Sequence, residues 1–160
     1  MAPTHPTLAP TTPSKSSWAE RWQSLKAGGL GAIAAALIFG MILQLNSWLT
    51  AQFPDLSGLL TVRSGLMVIV SGAIAKFSGF LFAVTYRYVV RQDHNPHLRS
   101  GAVGAFGLVR GLALAEMSWQ TVSPLVLGVF LLESFALFGG IRIVLDWALV
   151  RGWLTPFASE

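Results

Sequence analysis

Apolar residues in this chain are gathered in four long blocks and are not spread along one face of each helix. A block of about 20 apolar residues crosses the hydrocarbon core of a bilayer, because each helical residue rises about 1.5 Å. The helices of a soluble bundle would carry polar stripes, which these blocks lack. The pattern predicts an all-α, polytopic membrane protein whose four transmembrane helices form two hairpins.

Breaks between the blocks place the four helices near 28–49, 62–91, 100–119 and 124–153. The first break, TAQFPDLSG, contains the helix breakers Pro54 and Gly58. The second predicted helix would be about 45 Å long, well beyond the hydrocarbon core. Its end, TYRYVVRQ, is therefore expected to stand out through the lipid headgroups.

The segments that flank the membrane domain, 28–153, differ in character. Residues 1–16 are rich in Pro and Thr and have almost nothing to bury, so we expect a disordered tail. Residues 17–27 begin with a capping box, Ser17 and Glu20, and are interpreted as an amphipathic helix lying in the membrane interface. A plain N-terminal extension of the first membrane helix explains the same pattern equally well. Residues 154–160 form a C-terminal tail.

Charge adds an orientation to this picture. Charged residues make up only 11% of the 160 residues, against roughly a quarter in an average soluble domain. The net charge of +4 is not gathered in one soluble patch and does not argue for nucleic acid, so no nucleic-acid partner is expected. Only Arg63 lies on the side of the membrane opposite both termini, so the positive-inside rule predicts cytoplasmic or stromal termini. The basic residues on the side of the termini are Lys15, Arg21, Lys26, Arg87, Arg91, Arg99, Arg142 and Arg151.

The chain also carries a faint internal repeat. A shift of 71 residues aligns the first helix with the third, with seven identities over seventeen positions that include Gly40 with Gly111 and Trp48 with Trp119. The second and fourth helices match less well, at a shift of 60. Because both hairpins would start on the same side, the repeat predicts a parallel duplication and not an inverted one.

Every predicted helix has a stripe of small residues. Lipid is as apolar as leucine, so close backbone approach at small residues usually marks the contacts between membrane helices. Packing within the bundle is the first interpretation, and a stripe left over for a partner protein is the second. The candidate helix-packing residues are Ala36, Gly40, Ala75, Gly79, Gly107, Gly111, Ala136 and Gly140.

Three charged residues are predicted near the middle of the membrane. Lys76, Arg110 and Glu133 come from three different helices and fall at similar depth when residues are counted from the helix ends. An unpaired ion there costs several kcal/mol. One interpretation is a structural clasp that decides which helices are neighbours. The other is a polar pathway for a proton, an anion or a small solute, and Gln44 and Asn46 would extend either arrangement.

The sequence offers no catalytic constellation, so we expect no enzyme activity and no cofactor. The absence of cysteine excludes disulfides and thiolate chemistry. No histidine lies within a predicted membrane helix, which excludes axial ligation of haem or chlorophyll by histidine inside the bilayer. Asp93, His94 and His97 are close together in the loop DHNPH, but a proline interrupts them and no fourth ligand follows. An ordinary polar loop, with no metal, is the better interpretation.

The stretch YRYVVRQDHNPHLRSGAVGAFGLVRGLA, from Tyr86 to Ala113, resembles segments of small uncharacterised multi-span proteins of cyanobacteria and chloroplasts. The resemblance covers less than a fifth of the chain. It implies a thylakoid or cyanobacterial plasma membrane and a place beside photosynthetic complexes. It assigns no role to any single residue.

Two functions are expected from these features. The first is a non-catalytic accessory, assembly or scaffold subunit, with the lipid bilayer and a larger membrane complex, or further copies of itself, as partners. The second is a small oligomeric transporter or channel that uses Lys76, Arg110 and Glu133.

Overall fold

A computed structural model describes residues 15–58, 60, 65–90, 96–118, 120 and 123–155. The described chain is all-helical, and four of its helices are long and apolar enough to cross a membrane, as the sequence predicts. The four helices are α1 (Lys15–Gln52), α2 (Leu66–Val90), α3 (Pro96–Ser118) and α4 (Pro124–Val150), with a short 3-10 helix, Pro54–Gly58, after α1.

Helix α1 is one continuous helix of 38 residues, about 57 Å long. It crosses Gly28 without interruption, so residues 17–27 are not the separate interfacial helix that we predicted. They are an N-terminal extension of the first membrane helix, the alternative that the sequence pattern fits equally well. The capping box is also wrong, since Ser17 lies inside α1 and not before its first turn. Residues 15 and 16 of the predicted disordered tail belong to α1, and residues 1–14 lie outside the described residues.

The ends of α2 and α3 differ from the prediction. Gly65 adopts the left-handed backbone conformation, with φ of 59°, and α2 begins after it at Leu66 and not at Val62. The second helix is therefore 25 residues long, about 38 Å. Helix α3 begins at Pro96, four residues before the predicted start, because proline is tolerated in the first turn of a helix. Residues 91–95, with Asp93 and His94, lie outside the described residues, as do 61–64.

Helix α4 ends in a Schellman turn at Val150, earlier than the predicted end at Trp153. Gly152, with φ of 72°, donates its N–H to the Leu149 carbonyl at 3.1 Å, and Trp153 donates to the Ala148 carbonyl at 2.9 Å. The chain folds back, so that Leu154 packs into the core with the helices. Residues 154–155 are thus part of the bundle, and residues 156–160 of the predicted tail lie outside the described ones.

Five of the predicted packing positions lie between helices. A Cβ atom on Gly79 would lie 2.5 Å from the Ala35 Cβ and 2.7 Å from the Gly31 carbonyl oxygen, so α1 and α2 approach as closely as glycine permits. Gly107 and Gly111 of α3 pack against side chains of α4, and Gly140 of α4 packs against a side chain of α1. Ala75 is fully buried. At these five positions a small residue is enclosed where the helices pack together.

The other three predicted packing positions are not buried between the helices of this chain. Gly40 has open space at its Cβ position, Ala136 is exposed, and Ala36 is half-buried. Gly40 and Gly111 align in the sequence repeat, yet only Gly111 is packed. The two halves of the chain therefore use equivalent small residues differently.

Aromatic side chains fill the centre of the bundle. Phe82 of α2 lies 5.3 Å from Phe106 of α3 and 5.2 Å from Phe138 of α4 between ring centroids. Phe106 and Phe138 are in turn 5.5 Å apart, in an edge-on arrangement. Such geometry is favourable for aromatic pairs beyond the apolar area that they bury. This cluster joins three helices, whereas each small-residue contact joins only two.

Candidate functional site

The polar residues predicted near the middle of the membrane are partly brought together. Asn46 of α1 is buried and donates its side-chain N–H to Glu133 Oε1 of α4 at 2.6 Å. The amide of Asn46 was predicted only to extend the charge cluster, and the structure makes it a direct partner of the carboxylate. A hydrogen bond between side chains of two membrane helices helps to hold them together. It links the first and last helices at this depth.

Arg110 and Glu133 line the same small cavity, together with Ser134 and apolar side chains of α1, α3 and α4. The cavity volume is about 10 Å³, which is room for about one water molecule. Glu133 and Arg110 are both half-buried. The charged residues of α3 and α4 therefore lie at one cavity, as the sequence predicts. This cavity is too small for a substrate.

Lys76 is not part of this group. Its side chain is exposed, and it does not line the cavity that Arg110 and Glu133 share. The sequence predicts a depth for Lys76 along α2, and depth leaves the direction of a side chain undetermined. The three charges thus separate into a polar cluster inside the bundle, formed by Asn46, Arg110 and Glu133, and one cation on its surface.

A second polar site, which sequence reasoning missed, surrounds Arg87 near the end of α2. The side chain is only 2% exposed. Its Nε donates to the Thr155 carbonyl at 2.9 Å, and its Nη1 donates to Ser24 Oγ at 2.7 Å and to the Glu20 carbonyl at 3.1 Å. Its Nη2 forms an ion pair with the Glu20 carboxylate. The guanidinium fork is satisfied by groups from both termini of the helical domain.

The partners of Arg87 are positioned by two local features. The uninterrupted start of α1 places Glu20 and Ser24 one turn apart on one face. The Schellman turn at Gly152 reverses the chain after α4 and brings the Thr155 carbonyl to the guanidinium. We call the end of the bundle where α1 begins and α4 ends the basic end.

A third polar group, also at the basic end, joins α2, α3 and α4 through Asp146. The Tyr86 hydroxyl donates to Asp146 Oδ1 at 2.7 Å. Arg99 and Arg142 form ion pairs with the two oxygens of the same carboxylate at 3.4 and 3.5 Å. Arg142 also donates to Ser100 Oγ at 3.1 Å. The i, i+4 pair of Arg142 and Asp146 is thus one part of a larger network, because Tyr86 and Arg99 come from other helices.

One sequence signal could have found Arg87. It continues the i, i+4 series of Ala75, Gly79 and Ala83, which is the packing stripe of α2. The charge pattern alone identifies Arg87 only as one of the cations that set the topology. No comparable pattern marks Glu20, Ser24 or Thr155, since their meeting depends on how α1 and the chain after α4 pack.

An apolar groove opens between α2 and α3. Its volume is about 430 Å³, and its lining includes Ser78 of α2, Arg110 of α3 and Phe138 of α4. Arg110 therefore borders both the groove and the small polar cavity. Among the residues that the structure describes, no three His, Asp or Glu side chains are grouped as metal ligands would be.

Comparison with known proteins identifies no relative: no family model, no curated protein and no solved structure matches the chain.

Proposed function

We propose that this protein is a non-catalytic integral membrane protein that packs as an accessory, assembly or scaffold subunit against a larger membrane complex. The observation that carries the proposal is the use of the polar side chains within the bundle. Asp146 and Glu133 accept hydrogen bonds from side chains of other helices. Arg87 donates a hydrogen bond to the segment that follows α4. They hold helices together, and the cavity beside Glu133 and Arg110 has room for about one water.

The proposal includes a topology of two hairpins with both termini on the cytoplasmic or stromal side. Its support is the excess of Lys and Arg at the basic end, where Arg87 contacts the first turns of α1 and the chain after α4, and Arg99 and Arg142 pair with Asp146. The resemblance of residues 86–113 to cyanobacterial and chloroplast proteins favours a plasma or thylakoid membrane, and a photosynthetic complex as the partner.

A small transporter or channel is the competing proposal. The observation that favours it is the position of Arg110 between the polar cavity and the groove that opens between α2 and α3. A charged side chain at such a boundary would be reached from the membrane side. The predicted polar pathway includes Lys76, however, and this residue does not line the cavity. The accessory role therefore has the stronger support.

The test is the size of the particle that contains the protein in native membranes. After extraction in several mild detergents, we expect the full-length chain to sediment with a large complex, and to be released when the detergent is replaced by a harsher one. Recovery of free protein alone under every mild condition would contradict the accessory role. Flux of a solute through vesicles that contain only the purified protein would support the transporter instead.

A further inference from the structure

Lys76 is an exposed cation far from either end of a helix that can cross a membrane. It lies ten residues after Leu66, the first residue of α2, which is about 15 Å along the helix axis. A lysine side chain extends by about four methylene groups, so snorkelling brings the ammonium group only part of the way to the interface. A lone cation at this depth costs roughly 3 kcal/mol on insertion scales. An anionic group outside the bundle, at the same depth, would lower that cost.

The contacts between α1 and α2 show what lies beside Lys76. Gly79 meets Ala35, and Gly72 meets Phe39, so the two helices are antiparallel and Lys76 lies level with Ala36. Gly40 is one turn of α1 away, at about the level of Ala73. Lys76, Ala73 and Gly40 are exposed, and Ala36 is half-buried. We call these four residues the Lys76 face.

The Lys76 face combines two properties. Small residues on both helices leave room for a third backbone, and nothing within 4 Å occupies the Cβ position of Gly40. The one polar group among them is a cation that lies level with this space. A bare apolar face would be indifferent to lipid and protein, whereas this one favours an anionic group at the same depth.

We propose that the Lys76 face is the docking surface for a transmembrane helix of another protein, and that this helix carries an Asp or Glu near mid-membrane. The proposal rests on the accessory role and specifies the surface and the partner chemistry for it. The carboxylate receives a charge-assisted hydrogen bond from the Lys76 ammonium group. The partner backbone approaches closely at Gly40 and Ala73, which holds the two charges in register.

A second copy of this chain fits the surface poorly. A two-fold contact through this face would place two Lys76 side chains near each other. The mid-depth carboxylate of the chain, Glu133, already accepts a hydrogen bond from Asn46, and Asp146 is bound at the basic end. Glu116 lies two residues before the end of α3, far from the depth of Lys76. Charge complementarity therefore points to a different protein.

The experiment uses a synthetic transmembrane helix as the probe. Two peptides of leucine and alanine, with tryptophan at both ends, differ only in a central Glu or Gln. They are mixed with the full-length protein in vesicles of phosphatidylcholine and phosphatidylglycerol. Because the chain has no cysteine, one introduced by the substitution Gln52→Cys accepts a donor fluorophore at a single position. Energy transfer to labelled peptide then measures binding.

We expect the wild-type chain to bind the Glu peptide at least ten times more tightly than the Gln peptide. Lys76→Met should remove this preference, and Lys76→Arg should keep it, because arginine retains the charge. Lys26→Met is the matched control, since Lys26 is exposed near the basic end and its loss should leave the preference unchanged. Gly40→Leu should weaken binding of both peptides by blocking close approach.

Equal binding of the two peptides, or a preference that survives Lys76→Met, would overturn the proposal. So would dimers of this chain that depend on Lys76, counted by stepwise photobleaching, because the occupant would then be a second copy. In native membranes, a Lys76→Met chain that still sediments with the large complex also overturns this docking surface, while the accessory role stands. A wild-type chain that never joins a complex contradicts the accessory role itself, whatever the peptides do.

Discussion

Arg87 and Lys76 are two cations on one helix with opposite surroundings. They are eleven positions apart on α2, which is about three turns, so both point within about 20° of the same direction. Arg87 is 2% exposed and donates hydrogen bonds to groups of α1 and of the chain after α4. Lys76 is exposed and lies beside small residues of α1 that leave space open.

The difference shows that the role of a charge in a membrane helix depends on what the neighbouring elements bring to it. Near Arg87, the extended start of α1 supplies Glu20 and Ser24, and the turn at Gly152 supplies the Thr155 carbonyl. Near Lys76, the same helix α1 supplies only Ala36 and Gly40, which carry no polar side chain. The first charge is enclosed by its partners, and the second is exposed on the surface of the bundle.

The sharpest test of this comparison is to remove each charge by the same substitution. Arg87→Met should lower the free energy of unfolding by about 3 kcal/mol, because it deletes a buried ion pair and leaves the Thr155 carbonyl and the Ser24 hydroxyl without the Arg87 donor. This cost is at the low end of the range usual for breaking a buried ion pair, since Glu20 is partly exposed. Lys76→Met should leave stability unchanged within about 0.5 kcal/mol. Unfolding by dodecyl sulfate in mixed micelles, followed by tryptophan fluorescence, measures both.

If both methionine variants were equally stable, Arg87 would have no special structural role, and the comparison would fail.

A second test compares two glycines of the α1 and α2 surfaces. Gly79→Ala should cost about 2 kcal/mol, because the new methyl group would meet a backbone oxygen and a Cβ atom that cannot move away without separating the helices. Gly40→Ala meets nothing within 4 Å and should be neutral or slightly stabilising, since alanine is the better helix former. The same unfolding titration measures both variants. A large loss of stability in Gly40→Ala would show that this glycine is packed within the bundle.

The smallest expected effect concerns the polar cluster inside the bundle. Asn46→Ala removes the hydrogen bond to Glu133 Oε1 and should cost about 1 kcal/mol, a typical value for a polar contact between membrane helices. Gln44→Ala is its control, because Gln44 is exposed on the same helix and should be neutral. Equal effects of the two variants, measured in the same micelles, would mean that the cluster does not join α1 to α4.

Much of the helix packing could be predicted from residue type alone. Gly79, Gly107, Gly111 and Gly140 were identified because small residues recur at helical spacing, and a close contact between helices needs such residues. The same rule also selected Gly40, which is not packed within the chain. A periodic stripe shows that a face can be approached and does not say by which helix.

The candidate site was less predictable. Arg110 and Glu133 were placed at one depth by counting residues, and they line one cavity. The same count placed Lys76 with them, because counting residues gives a position along the helix axis. It does not give the direction in which a side chain points around that axis. Arg87 was missed for a related reason, since its partners are about 65 residues away in the sequence on either side.

By itself, the sequence determined that the chain forms four helices able to cross a membrane. Apolar length is a local property, and a backbone in lipid must satisfy its own polar groups as a helix. Only the tertiary structure decided which charges are enclosed, because that depends on the register and rotation of each helix against its neighbours. The contrast between Arg87, surrounded by α1 and the chain after α4, and Lys76, left on the surface, arises at that level.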